Sequence, residues 1–408
     1  MARQQTGYIW KVGRSWFGRW REDVIEDGRV VRKQRSARLA DVCDRYRSKA
    51  DVRPLLAEKL RPINEGKTRP ESTLPITDFV TCHYWPFVEE NYKPSTIAGY
   101  KNLWRDYVQP YLGKTVIRDF RTVDAATLLG EVHRSRSVGR KTLKHIKSLL
   151  SAVFTFAKNQ GALDGVNPIR DAMIPKKAAA PDDSHATTPD EVLAIMDILS
   201  TDGENKARAA VALMFFAGLR PGEARGACWE DFDDKQLVVR QSVWHTHTTS
   251  PKTAASANPV PVIEPLGSIL FDLRRIDAYP ESGPILRGPS GKPLDLHNLA
   301  NRVVIPALRR CVACRKAEAD HDEADHAFRL DTSLPRWHGW YSLRRGVATA
   351  VTALSKDSHA AKGLLRHSNV STTERHYIKS VPGNTVEAMK KLEALCSDLG
   401  NAPASKPS

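Results

Sequence analysis

The sequence predicts an α+β protein that is mainly helical, and three observations support this fold class. Aromatic and apolar residues alternate near the N-terminus, which predicts a small β-unit. Apolar residues recur at intervals of three and four within residues 72–172, which predicts helices. Two β-branched runs, Leu237 to Val243 and its expected partner Val260 to Ile263, predict a small antiparallel sheet among further helices. A chain of 408 residues exceeds one comfortable core, so two or three domains are expected.

The charge indicates a polyanionic partner. The formal net charge is +15 and the pI is about 9.6, with Lys and Arg in every third of the chain. This spread favours an extended polyanion such as double-stranded DNA. A generally basic soluble protein is the alternative.

The sequence predicts a cytoplasmic, nucleoid-associated location. The longest uncharged apolar run, residues 209–219, is well short of the roughly 20 residues that cross a bilayer. The N-terminus has no apolar signal-peptide core. Six scattered cysteines do not predict a disulfide framework, so no membrane or secretory role is expected.

Residues 1–71 are predicted to contain the β-unit and a charged helical connector. The connector is expected over residues 36–71, with a linker from Pro62 to Pro70. Basic side chains, including Arg19 and Arg21, interleave with the aromatic residues. This pattern suits a strand face laid in a DNA groove. A sheet with solvated arginines is the alternative.

Residues 72–175 are predicted to form an all-helical domain. The clearest amphipathic pattern runs from residue 140 to 159. Arg140, Lys144 and Lys147 fall on or beside the polar face of this helix. Basic helices of this kind suggest a clamp on the phosphate backbone, and a solvated charged surface is the alternative.

Residues 186–400 are predicted to form the last domain, and residues 401–408 a disordered tail. A capping box with proline at the first helical position, Thr188 to Glu191, predicts a helix start. The next helix, roughly 206–217, is almost wholly apolar and must be buried. It is expected to stop at Gly218.

Arg220 follows that stop, at a glycine-flanked turn before a helix opened by Pro221. An arginine on a rigid, buried element can give bidentate hydrogen bonds to a phosphate; the alternative is a helix-ending arginine that satisfies carbonyls. Arg344 or Arg345, before an alanine- and valine-rich run, could be a second phosphate ligand. Lys252 lies near a predicted hairpin, which alone is a weak signal.

His367 precedes Tyr377 by ten residues, with a polar Ser-Thr-Thr stretch between them. Two arginines, a lysine and a histidine around one tyrosine suit phosphoryl transfer without a metal, because catalysis there is positioning plus neutralisation of developing charge. The sequence has no Walker glycine loop and no paired acidic metal motif. Tyr377 is therefore predicted to attack DNA as a nucleophile.

Four motifs in this order resemble those of the tyrosine recombinases, specifically the phage-type integrases. The resemblance covers roughly residues 75–390 and implies that 72–175 is a SAM-like core-binding domain and 186–400 the catalytic domain. The N-terminal β-unit is similar, more weakly, to an arm-type DNA-binding domain. The motifs are Ala217-Gly-Leu-Arg220-x-Gly-Glu223, Pro251-Lys252-Thr253, Tyr341-x-Leu-Arg344, and His367 followed by Tyr377.

The resemblance implies a site-specific recombinase that cleaves and rejoins DNA through a 3′-phosphotyrosine and integrates or excises a mobile element. Arg220 and Arg344 would hold the non-bridging oxygens of the scissile phosphate. Lys252 would protonate the departing 5′ oxygen.

The remaining implied roles fall to three residues. His367 would add a hydrogen bond to the phosphate, Glu223 would support the arginine site, and Tyr377 would attack. No ATP or metal is required for the reaction. The implied assembly is a homotetramer on two double-stranded attachment sites, with accessory DNA-bending or directionality factors.

Two positions depart from the family pattern. Tyr341 stands where a histidine usually precedes the second arginine, and a phenol with a pKa near 10 donates a hydrogen bond but is a poor proton shuttle. Either Tyr341 keeps only the hydrogen-bonding role, or His338 partly substitutes, or activity is reduced. In the family the nucleophile usually comes one residue sooner after the histidine, and His376 stands at that position here.

Two other functions stay open on sequence grounds. A type IB topoisomerase shares the chemistry but relaxes DNA, whereas the arm-type unit and a predicted C-terminal docking helix favour recombination. A catalytically impaired, sequence-specific DNA-binding protein is the second alternative. Only Tyr341 and the shifted Tyr377 favour it.

Cys311, Cys314, His321 and His326 form a separate group within sixteen residues. Two cysteines and two histidines could close a tetrahedral zinc site that staples the long insertion before Arg344. The gap between the pairs is shorter than in zinc fingers. The alternative is an exposed helix with reduced thiols.

Overall fold

The computed structural model describes residues 4–26, 28–65, 69–179, 184–233, 235–250, 257–322, 324 and 326–366. The chain divides into two compact units, Met1–Asp182 and Asp183–Ser408. It is mainly helical with three small antiparallel sheets among the described residues, as predicted. None of the described helices is long and apolar enough to span a membrane. The finer domain boundaries given above stay predictions.

The first unit opens with a three-stranded antiparallel sheet, which confirms the predicted β-unit. Its strands are β1 (Tyr8–Val12), β2 (Ser15–Glu26) and β3 (Arg29–Asp41), with β2 in the centre. The prediction of a connector from residue 36 is wrong for its first residues. They continue β3 because β2 is long enough to pair with β3 along its whole length, from Glu26 opposite Arg29 to Ser15 opposite Asp41.

Helix α1 (Lys49–Asn64) packs on this sheet and begins with a capping box formed by Ser48 and Asp51. Its apolar face buries Val52, Leu56 and Leu60. The predicted linker starts later than Pro62, because the helix continues to Asn64 and Pro62 lies in its last turn.

A buried ion pair links the sheet to the helical part of the first unit. Glu22 on β2 is buried and accepts hydrogen bonds from both terminal nitrogens of Arg118, each at 2.9 Å. Arg35 on β3 donates to the same carboxylate at 3.1 Å. Burial acts to raise the pKa of Glu22, but the guanidinium groups lower it below its ordinary value. The β-unit is thus attached to the helical part by a bidentate contact.

The predicted helical region of the first unit is confirmed, and its core is continuous. Its longest helix has the predicted bounds and buries its whole apolar stripe. Two π-type turns, Val80–Tyr84 and Trp104–Val108, join neighbouring helices. The helices are α2 (Ile76–Phe79), α3 (Trp85–Asn91), α4 (Pro94–Leu103), α5 (Gln109–Leu112), α6 (Thr122–Arg136) and α7 (Arg140–Asn159).

The second unit begins with the two predicted helices, α8 (Pro189–Thr201) and α9 (Asn205–Phe215). The capping box of Thr188 and Glu191 is present, and α9 is buried almost all round. The later elements follow in chain order. They are α10 (Pro221–Gly226), β4 (Gln236–Leu237), β5 (Ser242–Trp244), β6 (His247–Thr249), β7 (Val260–Pro261), α11 (Glu264–Ile276), α12 (Leu296–Leu299), α13 (Ile305–Leu308), α14 (Trp340–Ser355) and α15 (Ser358–Leu365). Helices α8, α10, α11 and α14 pack against α9.

The predicted strand over 237–243 is two short strands instead of one. β4 pairs with β7, as expected from the partner run at Val260, whereas β5 pairs with β6 in a hairpin. The strand breaks because the backbone of Val238 donates to the carbonyl of Asp231 instead of continuing the ladder.

Helix α14 lies unusually close to the chain segment that leads into α8. The backbone N–H of Thr187 donates to the carbonyl of Ser342 at 3.1 Å, and their hydroxyl groups are 2.7 Å apart. A Cβ on Gly346 would lie 1.9 Å from the carbonyl oxygen of Thr187. Glycine is required here because no side chain fits, and this contact sets the position of the helix.

Gly346→Ala is expected to destabilise the protein by about 3 kcal/mol or more, because the added methyl group must push α14 away from Thr187. Urea denaturation followed by tryptophan fluorescence measures the loss. Gly363→Ala in α15 is the matched control: a Cβ there meets no described atom within 4 Å, and alanine favours a helix by about 0.5–1 kcal/mol. Equal midpoints for Gly346→Ala and wild type would contradict the close contact.

Candidate active site

The candidate site is built around Glu223, a buried carboxylate on α10. Its Oε2 accepts a hydrogen bond from the backbone N–H of Arg220 at 3.0 Å, and its Oε1 accepts one from the Arg220 side chain at 2.6 Å. Arg366, the residue that follows α15, donates to Oε2 at 2.7 Å. One carboxylate therefore holds two guanidinium groups from distant parts of the chain.

The local sequence explains why Glu223 and Arg220 meet. Pro221 is fixed at the first helical position, so Arg220 becomes the N-cap and Glu223 the third residue of α10. A carboxylate at that position can reach back to the N-cap backbone. The spacing Arg220-x-x-Glu223 is thus a capping arrangement that also positions the arginine side chain.

Glu223 is ionised because positive charge surrounds it. Burial acts to raise its pKa, but the guanidinium groups of Arg366 and Arg220, the backbone of Arg220, and Arg344 together lower it below the ordinary value of 4.5. The pKa of Arg366 is itself lowered by burial. Three arginines thus share one negative charge.

Arg344 is completely buried and is held by backbone carbonyls. Its Nη1 donates to the carbonyl of Gly218, and its Nη2 donates to the carbonyl of Leu365 at 2.6 Å. Gly218 has a φ of +58°, and a Cβ there would come within 3.1 Å of the Leu365 side chain. Arg344 therefore joins the turn before Arg220 to the end of α15.

Arg366 is the residue that sequence reasoning missed. It is buried, it follows α15 with a φ of +54°, and it stands directly before His367. A non-glycine residue in this left-handed conformation is uncommon and costs free energy. Its ion pair with Glu223 offsets that cost. The only signal in the sequence is its place beside His367, and its partner lies 143 residues away.

Tyr341 lies on the first turn of α14 and is about half exposed, at 49%. Arg344 follows three residues later on the same helix. His338, the other candidate for the missing histidine role, stacks on His185 with ring centroids 3.9 Å apart. Burial and the neighbouring His185 lower the pKa of His338, so its imidazole is neutral at pH 7.

Three predicted catalytic residues, Lys252, His367 and Tyr377, lie outside the described residues. The predicted C-terminal docking helix and the tail at 401–408 also lie outside them. The structure therefore brings together Arg220, Glu223 and Arg344, and Arg366 lies beside them.

The predicted DNA-binding arginines of the β-unit lie on β2. Arg19 is exposed, and its guanidinium lies 5.2 Å from the ring centre of Tyr8 and 5.9 Å from that of Trp10. Arg21 is also exposed. The aromatic and basic side chains are therefore adjacent at this surface.

The predicted basic face of α7 is divided in the structure. Lys144 is exposed and Arg140 is partly buried. Lys147 donates to the carbonyls of Arg170 at 3.1 Å and Ala172 at 2.6 Å. Lys147 thus anchors the chain after α7 in this structure, and Lys144 is the more accessible of the two lysines.

The four predicted metal-ligating residues converge. One ligand atom from each of Cys311, Cys314, His321 and His326 lies within 4.8 Å of the others. The segment is a tight turn and not the exposed helix considered above. The backbone of Arg329, then those of Cys314 and Ala313, donate toward the Cys311 sulfur and outweigh burial. They lower its pKa to about 5.

Glu223→Gln is expected to destabilise the protein by about 3 kcal/mol at pH 7, because it removes the charge that holds Arg220 and Arg366. The pKa of Glu223 is lowered on folding, so its stabilisation is present above 4.5 and is lost as the pH falls from there through the folded value. The difference between wild type and variant must therefore shrink in acid. Urea denaturation at several pH values measures it.

The exposed Glu281→Gln is the control for this series and is expected to leave stability unchanged at each pH. A difference between wild type and Glu223→Gln that stays constant from pH 7 into acid would contradict the ionised buried carboxylate.

No protein-family model matches the chain. A curated relative named tyrosine recombinase XerC-like, from Caldanaerobacter subterraneus subsp. tengcongensis, is 22% identical over 404 residues, which covers 91% of this chain and 93% of the relative. The solved Tn1549 transposon integrase in complex with a circular intermediate DNA is 18% identical, with a TM-score of 0.57 over 78% of this chain and 99% of that one.

The lambda integrase tetramer bound to a Holliday junction is a further structural neighbour. It is 18% identical, with a TM-score of 0.53 over 85% of this chain and 89% of that chain. These similarities confirm the resemblance that the four motifs predict. The chain has the fold of the tyrosine recombinases.

Proposed function

We propose that the chain is a site-specific DNA recombinase that integrates or excises a mobile element. One observation carries the proposal: Arg220, Arg344 and Arg366 converge on the single carboxylate of Glu223. Three guanidinium groups lie around one carboxylate, and among these four described residues Arg220 is the most exposed, with 20% of its side chain accessible. A cluster of guanidinium groups is suited to bind an anionic phosphate.

The reaction follows from these charges and from the residues that the motifs supply. The phenolic oxygen of Tyr377 gives up its proton to water and attacks the scissile phosphorus, and the bond from phosphorus to the 5′ oxygen breaks. Lys252 gives a proton to that oxygen, while Arg220 and His367 hold the non-bridging oxygens. The 3′-phosphotyrosine keeps the bond energy, so a second 5′-hydroxyl can reverse the step without ATP or a metal.

The proposed contact between Arg344 and the phosphate is limited by the hydrogen bonds that Arg344 already makes. Its guanidinium is engaged by the carbonyls of Gly218 and Leu365. To contact the phosphate it must use another of its five N–H groups or exchange the Leu365 carbonyl for a phosphate oxygen. Because Leu365 ends the helix before Arg366 and His367, phosphate binding and the placement of the His367 segment are coupled in this proposal.

The relatives support the partners proposed for this chain. The Tn1549 integrase is bound to a circular intermediate DNA, and the lambda integrase is a tetramer on a Holliday junction. We propose that this chain also acts as a homotetramer on two double-stranded DNA sites, inside the cytoplasm, with accessory bending or directionality factors. Exposed Arg19, Arg21 and Lys144 are the proposed backbone contacts.

A nicked suicide substrate carrying the attachment site tests the nucleophile. Wild type is expected to form a covalent protein–DNA adduct, which disappears in Tyr377→Phe and persists in Tyr279→Phe, a matched change at an exposed tyrosine. Denaturing gel electrophoresis measures the adduct. Specific binding without an adduct would overturn the enzyme proposal. An adduct without strand exchange between two sites would favour a topoisomerase.

Tyr341→Phe is expected to slow adduct formation about 10-fold, the loss of one hydrogen bond to a charged group, because Tyr341 is proposed to donate to the phosphate. Tyr341→His should keep or raise the rate, since imidazole can also transfer a proton near pH 7. A Tyr341→Phe rate equal to wild type would remove Tyr341 from the site.

A further inference from the structure

The group formed by Cys311, Cys314, His321 and His326 lies outside the proposed reaction and needs its own explanation. The Cys311 sulfur is 3.3 Å from Nε2 of His326, and that nitrogen is 3.2 Å from Nε2 of His321. Cys311 is fully buried and the other three are partly buried. Two ring nitrogens and two sulfurs therefore face a common centre.

Two of the separations match the edges of a tetrahedron around one ion. Zinc binds nitrogen at about 2.05 Å and sulfur at about 2.3 Å, which places two nitrogens roughly 3.3 Å apart and a nitrogen and a sulfur roughly 3.5 Å apart. The His321–His326 and Cys311–His326 separations are 3.2 and 3.3 Å. The remaining separations are all within 4.8 Å, so the site admits the ion if the longer ones close by roughly 1 Å.

The backbone around Cys311 forms a turn that suits a metal-bound thiolate. The N–H of Arg315 donates to the carbonyl of Cys311 at 2.9 Å, and the N–H of Cys311 donates to the carbonyl of Lys316 at 2.9 Å. Arg315 has a φ of +60°, which reverses the chain directly after Cys314. Both cysteines of the Cys311-x-x-Cys314 pair are thereby brought to the same side of the turn.

A metal-free arrangement accounts for this geometry less well. Without an ion, the two Nε2 atoms can share only one proton, so one histidine must donate to the other. Cys311 and Cys314 are both free thiols. A cation at the common centre would bind both sulfurs and both Nε2 atoms at once.

We propose that Cys311, Cys314, His321 and His326 bind one Zn²⁺ ion in a closed tetrahedral site. Two thiolates and two neutral imidazoles are the donor set of structural zinc, and four protein ligands leave no open position for catalysis. The ion is therefore structural, and it takes no part in phosphoryl transfer.

The site stabilises the chain between α13 and α14. The turn at Cys311 pairs with Leu330 across an isolated bridge, and Arg315 is held by the buried carboxylate of Asp331 at 2.6 Å. Arg310 forms an ion pair with Asp202 at the end of α8. Zinc would close the loop from Cys311 to His326 and so fix the segment that leads into α14, the helix of Tyr341 and Arg344.

Metal analysis tests the proposal on the full chain, purified without chelator and supplied with zinc. One zinc ion per chain is expected for wild type and for Cys82→Ser, a change at an exposed cysteine in the first unit. Cys314→Ser and His326→Ala should lose most of it. X-ray absorption should show two sulfur and two nitrogen neighbours, at about 2.3 and 2.05 Å.

Thermal unfolding of the wild-type protein provides a second test of the zinc site, because it needs no substitution. Chelator should lower the unfolding midpoint of wild type, and added zinc should restore it, because the ion binds only the folded site. Cys314→Ser should show neither shift. The outcome is independent of recombination, since Tyr377→Phe should keep both its zinc and its midpoint.

Two results would overturn the zinc site. One is wild-type protein that holds no stoichiometric zinc after incubation with the ion and has a midpoint insensitive to chelator. The other is a Cys311–Cys314 disulfide in protein prepared under reducing conditions, found by thiol labelling and mass measurement. Neither result would bear on the adduct formed by Tyr377.

Discussion

The second unit depends on a single buried carboxylate that cannot be removed without exposing two arginines to each other. Glu223 accepts hydrogen bonds from Arg220 and Arg366, and the side chains of Glu223 and Arg366 are almost completely shielded from water. At low effective dielectric, losing that negative charge leaves like charges in contact. The arrangement is a structural ion pair in which one carboxylate holds two guanidinium groups.

Hydrogen bonds to backbone carbonyls also hold the site together. Arg344 donates hydrogen bonds to the carbonyls of Gly218 and Leu365, so one guanidinium group links the turn before Arg220 to the end of α15. The absence of a side chain at Gly218 and at Gly346 lets these segments approach. The site is therefore defined by close backbone packing as much as by its charged side chains.

Patterns local in sequence predicted much of this molecule, and patterns that depend on distant contacts did not. The bounds of α7 and the start of α8 follow from apolar periodicity and from a capping box, which act within a few residues. The pairing of Arg366 with Glu223 spans 143 residues, and Lys147 is occupied by carbonyls beyond its own helix. The extension of β3 to Asp41 likewise depends on the length of its partner strand.

The long sequence separation of these contacts also bears on how the protein is made. Thr187 meets Ser342 across 155 residues, and Arg344 meets Gly218 across 126. Contacts of such separation form late, because a long loop must close before they contribute. A chain whose synthesis has passed residue 223 but has not reached residue 344 contains Arg220 and Glu223 but neither Arg344 nor Arg366. The described part of the site is therefore assembled only after synthesis has passed residue 366.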